Sequence, residues 1–206
     1  MRQIRTAVAI AMTLALGGCG YNRIQQLDEQ ANQAKSNIGV ELTARNQLIP
    51  NMVATVKGAA SFERGTYTDV ARARAGQLPA AEQALTQAQQ QTKTAVESKN
   101  VNQLQQAEAA QTRAIGTYLN VAVEAYPQLR ATQNFQALQD QLAESENRIA
   151  VARRDYNEAV RDYNTYIRQF PQAITAKVTG AQRKEPYQAP AGSEQAPTVN
   201  FDSAAK

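Results

Sequence analysis

The chain has 206 residues, no histidine and one cysteine, Cys19, which removes the commonest general base and every imidazole-dependent triad or dyad. It carries 38 alanines, 26 glutamines, no tryptophan and only 6% aromatics, a composition that favours helix and cannot fill a broad sheet core. Basic residues outnumber acidic ones by 22 to 18, but the signs alternate, as in Arg154-Asp155 and Arg161-Asp162. No dense cationic run is present to displace phosphate counterions, so nucleic acid is not an expected partner.

The N-terminus carries an export pattern. Arg2 and Arg5 precede an uncharged, mostly apolar run from Ala7 to Leu16. As a helix this run rises only about 15 Å, short of a bilayer core of about 30 Å. A charged start, a short apolar stretch and small residues after it are the parts of a secretory signal. Leu16-Gly17-Gly18-Cys19 then resembles the lipobox of bacterial lipoproteins, which gives the lone thiol an occupation. That resemblance implies cleavage before Cys19 and acylation of its sulfur and new amino group, since more than one acyl chain is needed for stable anchoring. An ordinary signal peptide followed by a free thiol is the alternative, and a liability in an exported protein. Removal of Arg2 and Arg5 leaves 20 basic against 18 acidic residues. Gly20, where an Asp would hold such proteins back, is similar to lipoproteins sent to the outer membrane, facing the periplasm, in an organism with two membranes. In an organism with one membrane, the expected place is the outer face of the cell membrane.

From Tyr21 to about Arg74 apolar residues recur at spacings of three and four, including Ile24, Leu27, Ile38, Leu42, Met52 and Val56, the pattern of an amphipathic helix. Pro50 lacks the N–H that would hold the carbonyl of Asn46. It reads as a bend, or alternatively as a candidate hinge. Gly76-Gln77-Leu78-Pro79 opens a second stretch, Pro79 to Tyr126, with a possible break near Asn100 and a stop at Pro127. The third is the clearest. Phe135, Leu138, Leu142, Ser145, Ile149, Ala152, Tyr156, Ala159, Tyr163, Tyr166 and Phe170 alternate by three and four, with Ser145 the polar lapse. A helix from Asn134 to Gln169 would be about 54 Å long. Residues 172–179 suit one short further helix before Gly180.

Such stripes must be covered, so the expected fold is all-α: an elongated, antiparallel up-and-down bundle of about four helices, three long and one short. The expected divisions are a signal peptide at 1–18, a disordered lipidated anchor at 19–23, the bundle at 24–180 and a flexible Pro- and Ala-rich tail at 181–206.

These residues also carry a family resemblance. The first motif is Ser36-Asn37-Ile38, Arg45, Leu48-Ile49-Pro50-Asn51-Met52-Val53, Val56-Lys57-Gly58 and Glu63. The second is Tyr126-Pro127-Gln128-Leu129 with Asn134-Phe135. The third comprises Glu146-Asn147-Arg148-Ile149, Ala152-Arg153, Tyr156-Asn157, Tyr163-Asn164 and Phe170-Pro171, and Ala196-Pro197-Thr198-Val199-Asn200-Phe201 closes the chain. Together they resemble the LemA family. The resemblance implies a helical bundle held outside a membrane by cell-envelope proteins sometimes linked to envelope stress or membrane remodelling. It implies no catalytic residue. Two features depart from it: a lipobox stands where many members resemble proteins with one spanning helix, and the aromatic-rich stretch after the third helix is thinned to Val178-Thr179-Gly180-Ala181.

The candidate site residues are the polar ones that interrupt the stripes. Arg45 is in phase with Ile38 and Met52, and Glu146 and Arg153 flank the third seam. They form a candidate polar layer, an ion pair of Arg45 with Glu146 fixing helix register or a grip for a ligand carboxylate or phosphate. Asn157 and Asn164 occupy identical settings one heptad apart and read as contacts to a neighbouring helix or as a candidate partner-docking strip. Glu63, Asp69, Glu146 and Asp155 show no local pairing suited to a metal or an acid–base couple, and no glycine-rich phosphate loop is present. No catalytic residue, cofactor, metal or small-molecule substrate is expected. The expected function is a lipid-anchored, non-catalytic scaffold or adaptor for envelope protein partners, with a ligand-binding sensor signalling to a membrane partner as the alternative.

Overall fold

A computed structural model describes residues 2–62 and 75–188, with side chains from Gly20 to Ala60 and from Ala75 onward. The Cys19 side chain, Glu63, Asp69 and the tail from 189 to 206, with its closing motif, lie outside the described residues. Among those residues every regular element is a helix. It forms α1 (Arg2–Phe62), α2 (Leu78–Ser98), α3 (Val101–Ala125), a 3-10 turn (Pro127–Ala131), α4 (Gln133–Tyr166) and α5 (Gln172–Thr179). The all-α bundle follows from the composition, because Ala, Gln and Leu lose little in a helix and their stripes need partners. No helix among the described residues is long and apolar enough to cross a membrane.

The break read near Asn100 is present, and three other expectations are corrected. The second stretch is two helices, because Lys99 takes a left-handed conformation (φ 52°) and Asn100 turns extended. The Asn100 Oδ1 then caps α3 by accepting from the N–H groups of Asn102 at 2.9 Å and Gln103 at 3.2 Å. The anchor segment 19–23 is helical within α1, with Gly20 buried. The expected tail starts late: residues 181–187 are held in place, as described below. Finally, the third stripe changes phase after Tyr156. The buried positions are Val160, Tyr163 and Ile167, while Phe170 is 84% exposed. A straight helix drifts from a strict seven-residue repeat by about 20° per heptad, and α4 ends at Tyr166 before Phe170 can join the seam.

The chain divides into two compact units, and α1 and α4 each contribute one segment to both. In the first unit (residues 1–38 and 150–187), Ile24, Leu27, Tyr163, Ile167 and Ala176 form a core. Gly180 (φ 73°) ends α5, where the Ala181 N–H returns to the Ala176 carbonyl at 2.9 Å, the six-to-one bond of a Schellman cap. In the second unit (residues 39–149 and 188–206), Ile49, Met52, Val56, Leu85, Tyr118, Leu129 and Phe135 anchor a larger core. Thin side chains let its helices approach closely. A Cβ placed on Gly39 would stand 3.3 Å from Val96 Cγ1.

Candidate functional site

The polar interruptions of the stripes fall into two sets, one in each unit. In the second unit Arg45 is only 3% exposed, so its permanent charge must be met inside the fold. Its Nη1 donates to Glu146 Oε2 at 2.7 Å, the pairing expected from the sequence. Its Nε donates to Gln111 Oε1, and its Nη2 reaches the Glu108 carbonyl at 3.4 Å. Gln111, fully buried, passes the chain on by donating to Asn46 Oδ1 at 2.6 Å. Asn46 Nδ2 donates to the Gln89 carbonyl at 3.1 Å, and Gln89 Nε2 donates back to the Asn46 carbonyl at 3.2 Å. One connected network thus spans α1, α2, α3 and α4.

That last bond explains how α1 runs unbroken through Pro50. The missing proline N–H leaves the Asn46 carbonyl without its helical partner, and the Gln89 amide takes its place. The candidate hinge is therefore cross-braced to α2. Glu146 is 41% exposed and marks where the layer meets water. Arg153, seven residues further along α4, lies in the first unit. Ser145, the polar lapse, is buried with a hydroxyl that has no hydrogen-bond partner among the described residues.

Gln111, Asn46, Gln89 and Glu108 are members of the layer that the sequence reading missed. A signal existed for one of them: Gln111 stands in phase midway between Leu104 and Tyr118. Among 26 glutamines, its neutral side chain did not stand out.

In the first unit, Asn157 and Asn164 each clamp one residue of the chain's own extended segment. Asn164 Nδ2 donates to the Lys184 carbonyl at 2.8 Å, and its Oδ1 accepts from the Lys184 N–H at 2.9 Å. Asn157 holds Tyr187 in the same way, at 2.9 and 2.7 Å. The registers match physically: seven helical residues rise about 10.5 Å and three extended ones about 10 Å. Tyr156 adds a hydroxyl bond to the Glu185 carbonyl at 2.9 Å. Lys184 continues to α1, pairing with Asp28 at 2.9 Å, donating to Asn32 at 3.3 Å and lying 5.3 Å from the Tyr163 ring centre. The strip expected to dock a partner thus grips residues 184–187 of the same chain.

Burial raises the pKa of Tyr156, with Glu185 adding to it, and that of Tyr163, with Asp28 adding to it. Tyr118 in the second unit is raised further by burial, then by Glu82 and Tyr126. These phenols stay protonated and serve as packing and hydrogen-bonding groups. A cleft of about 400 Å³ in the first unit is lined by Asp28, Tyr163, Gly180 and Lys184. One of about 350 Å³ in the second is lined by Pro50, Lys57, Glu82 and Gln89. Among the described residues no group of three Cys, Asp or Glu side chains is placed to hold a metal ion.

Two relatives can be set beside this geometry. Magnetosome protein MamQ 1 and magnetosome protein MamQ 2 of Paramagnetospirillum magneticum (strain ATCC 700264 / AMB-1) are each 28% identical to this chain over 198 residues. Each match covers 92% of this chain and 71% of the relative. The model of the LemA family matches residues 34–201, which takes in α1 from Ala34, both polar sets and the clamped segment; the chain belongs to the LemA family.

Proposed function

We propose that the protein is a cell-envelope lipoprotein, tied to a membrane through Cys19, whose helical bundle works as a non-catalytic scaffold or adaptor for other envelope proteins. The observation that carries this reading is how the buried polar groups are used. The Arg45 guanidinium donates on three sides to Gln111, Glu146 and Glu108, and the Asn157 and Asn164 amides are engaged by backbone of the same chain. Groups that would grip a ligand are instead bracing helices against one another. The Leu16-Gly17-Gly18-Cys19 pattern supports the tether.

Photo-crosslinking in cells from exposed positions on α4, such as Val151, Glu158 and Arg161, tests the scaffold. Discrete adducts with the same envelope proteins, abolished by charge reversal at the crosslinking face, are expected. A ligand that raises the melting temperature in proportion to its occupancy, with no protein adducts, would move the assignment to a sensor.

A further inference from the structure

Among the described residues, the first unit leaves an apolar stripe exposed along α5. Phe170, Ile174 and Val178 follow one another at intervals of four and are 84%, 59% and 82% exposed. The opposite face of α5 is the packed one: Ala176 sits in the core, and α5 crosses α1 at Gly20, where a Cβ would meet Thr175 Oγ1 at 3.6 Å and Gln172 Cγ at 3.7 Å. At 100° per residue, Gln172, Thr175, Ala176 and Thr179 face inward while Ile174 and Val178 face away. Tyr21, next to Gly20, is also exposed.

Charge completes the pattern. From Thr165 to Arg183 the sequence has three basic residues, Arg168, Lys177 and Arg183, and no acidic one. All three are exposed. The apolar stripe is thus flanked by cations, with no carboxylate in the segment to repel an anionic surface. It lies beside Gly20, and the preceding residue in the chain is Cys19.

We infer that the outward face of α5, with Phe170 and Tyr21, seats in the headgroup region of an anionic lipid bilayer and makes a second membrane contact beside the Cys19 anchor. The inference rests on the anchored reading, because acyl chains on Cys19 would bring this face to the membrane surface. Small apolar side chains on an interfacial helix enter the headgroup boundary while cations remain with the phosphates. Each cation near an anionic surface strengthens partition by about fivefold. An apolar contact of this size is reversible on its own, and beside an acylated Cys19 it orients the bundle on the surface.

The absence of tryptophan provides the test. The full chain extracted from membranes, carrying Ile174→Trp, is reconstituted in phosphatidylethanolamine–phosphatidylglycerol vesicles containing brominated lipid. Val151→Trp, on an exposed position of α4, is the control. Emission from the Ile174→Trp protein should shift to the blue and be quenched by bromines near the headgroup, and that from the Val151→Trp protein should not. In a Cys19→Ala background, Ile174→Asp should lower vesicle partition about tenfold, the loss expected for one buried aliphatic side chain. Equal, water-like emission from both tryptophans overturns the inference. So does a blue shift that needs no vesicles and grows with protein concentration, which would assign the stripe to a second copy of the chain. Intact mass reports the anchor separately. An acylated Cys19 with an unquenched tryptophan at α5 overturns this inference alone; quenching with an unmodified Cys19 upholds it and overturns the anchor.

Discussion

The two units solve the same problem, a polar group in an apolar seam, by different means. The second unit buries a permanent charge and meets it with side chains from α3 and α4 and a backbone carbonyl of α3. The first uses neutral amides, and what they meet is backbone from the chain's own extended segment. A buried charge makes each partner indispensable, because losing one leaves an uncompensated cation. A neutral amide clamp can be lost locally, because the freed backbone simply returns to water. The second unit should therefore respond to substitution globally and the first locally.

The largest effect expected from this difference is at Arg45. Arg45→Met alone strands Gln111, whose other bond goes to Asn46, and should cost about 3 kcal/mol, or on the order of 10 °C in melting temperature. Adding Gln111→Leu and Glu146→Met should recover most of that, as replacing a whole buried polar set with apolar residues commonly does. No change in melting with a loss of function would instead make the layer a ligand site.

Next in size is the brace at Pro50. Gln89→Leu leaves the Asn46 carbonyl without a donor and should cost about 1–2 kcal/mol by denaturant titration. Pro50→Ala in that background restores the helical N–H and should rescue stability, and the rescue should be absent if Gln89 matters for another reason. In the first unit, Asn157→Ala or Asn164→Ala should cost about 1 kcal/mol or less in global melting. Its signature is local: amide exchange at Tyr187 or Lys184 should speed up by about tenfold while α1 and α4 remain protected. A global loss as large as that of Arg45→Met would erase the contrast between the units.

The smallest effect compares two glycines of α1. At Gly20 an added Cβ meets only ordinary contacts of 3.6 and 3.7 Å, whereas at Gly39 it approaches Val96 Cγ1 at 3.3 Å. Gly20→Ala should stabilise by up to about 1 kcal/mol through helix propensity. Gly39→Ala should gain less, or lose, because the α2 side chain must yield. Paired melting curves read the difference.

How far each feature was legible follows from the same physics. Long helices were plain because their stripes repeat over many turns, and Arg45 with Glu146 was legible because a charge in an apolar stripe demands a partner. The uncharged remainder of the layer was not: Gln89 and Gln111 look like any solvated glutamine until folding places them. The turn at Lys99 and Asn100 was legible as a phase shift in the stripe, although no glycine marks the αL residue that makes it. Phe170 was misplaced because a strict heptad count was carried past the end of α4. The asparagine pair reads from the sequence as contacts to a neighbouring helix or to a partner, and neither reading names the extended segment it holds. A segment poor in apolar residues looks unstructured when only its own burial is counted, and residues 184–187 are held chiefly by α4 side chains bonded to their backbone groups.

The tether is the claim on which the functional account stands, and intact mass of the protein recovered from membranes tests it most directly. The account predicts a chain beginning at Cys19, heavier than its sequence by acyl chains on that residue, with membrane partition weakened by Cys19→Ala. A chain of unmodified mass, or one that begins elsewhere and partitions unchanged after Cys19→Ala, would contradict it.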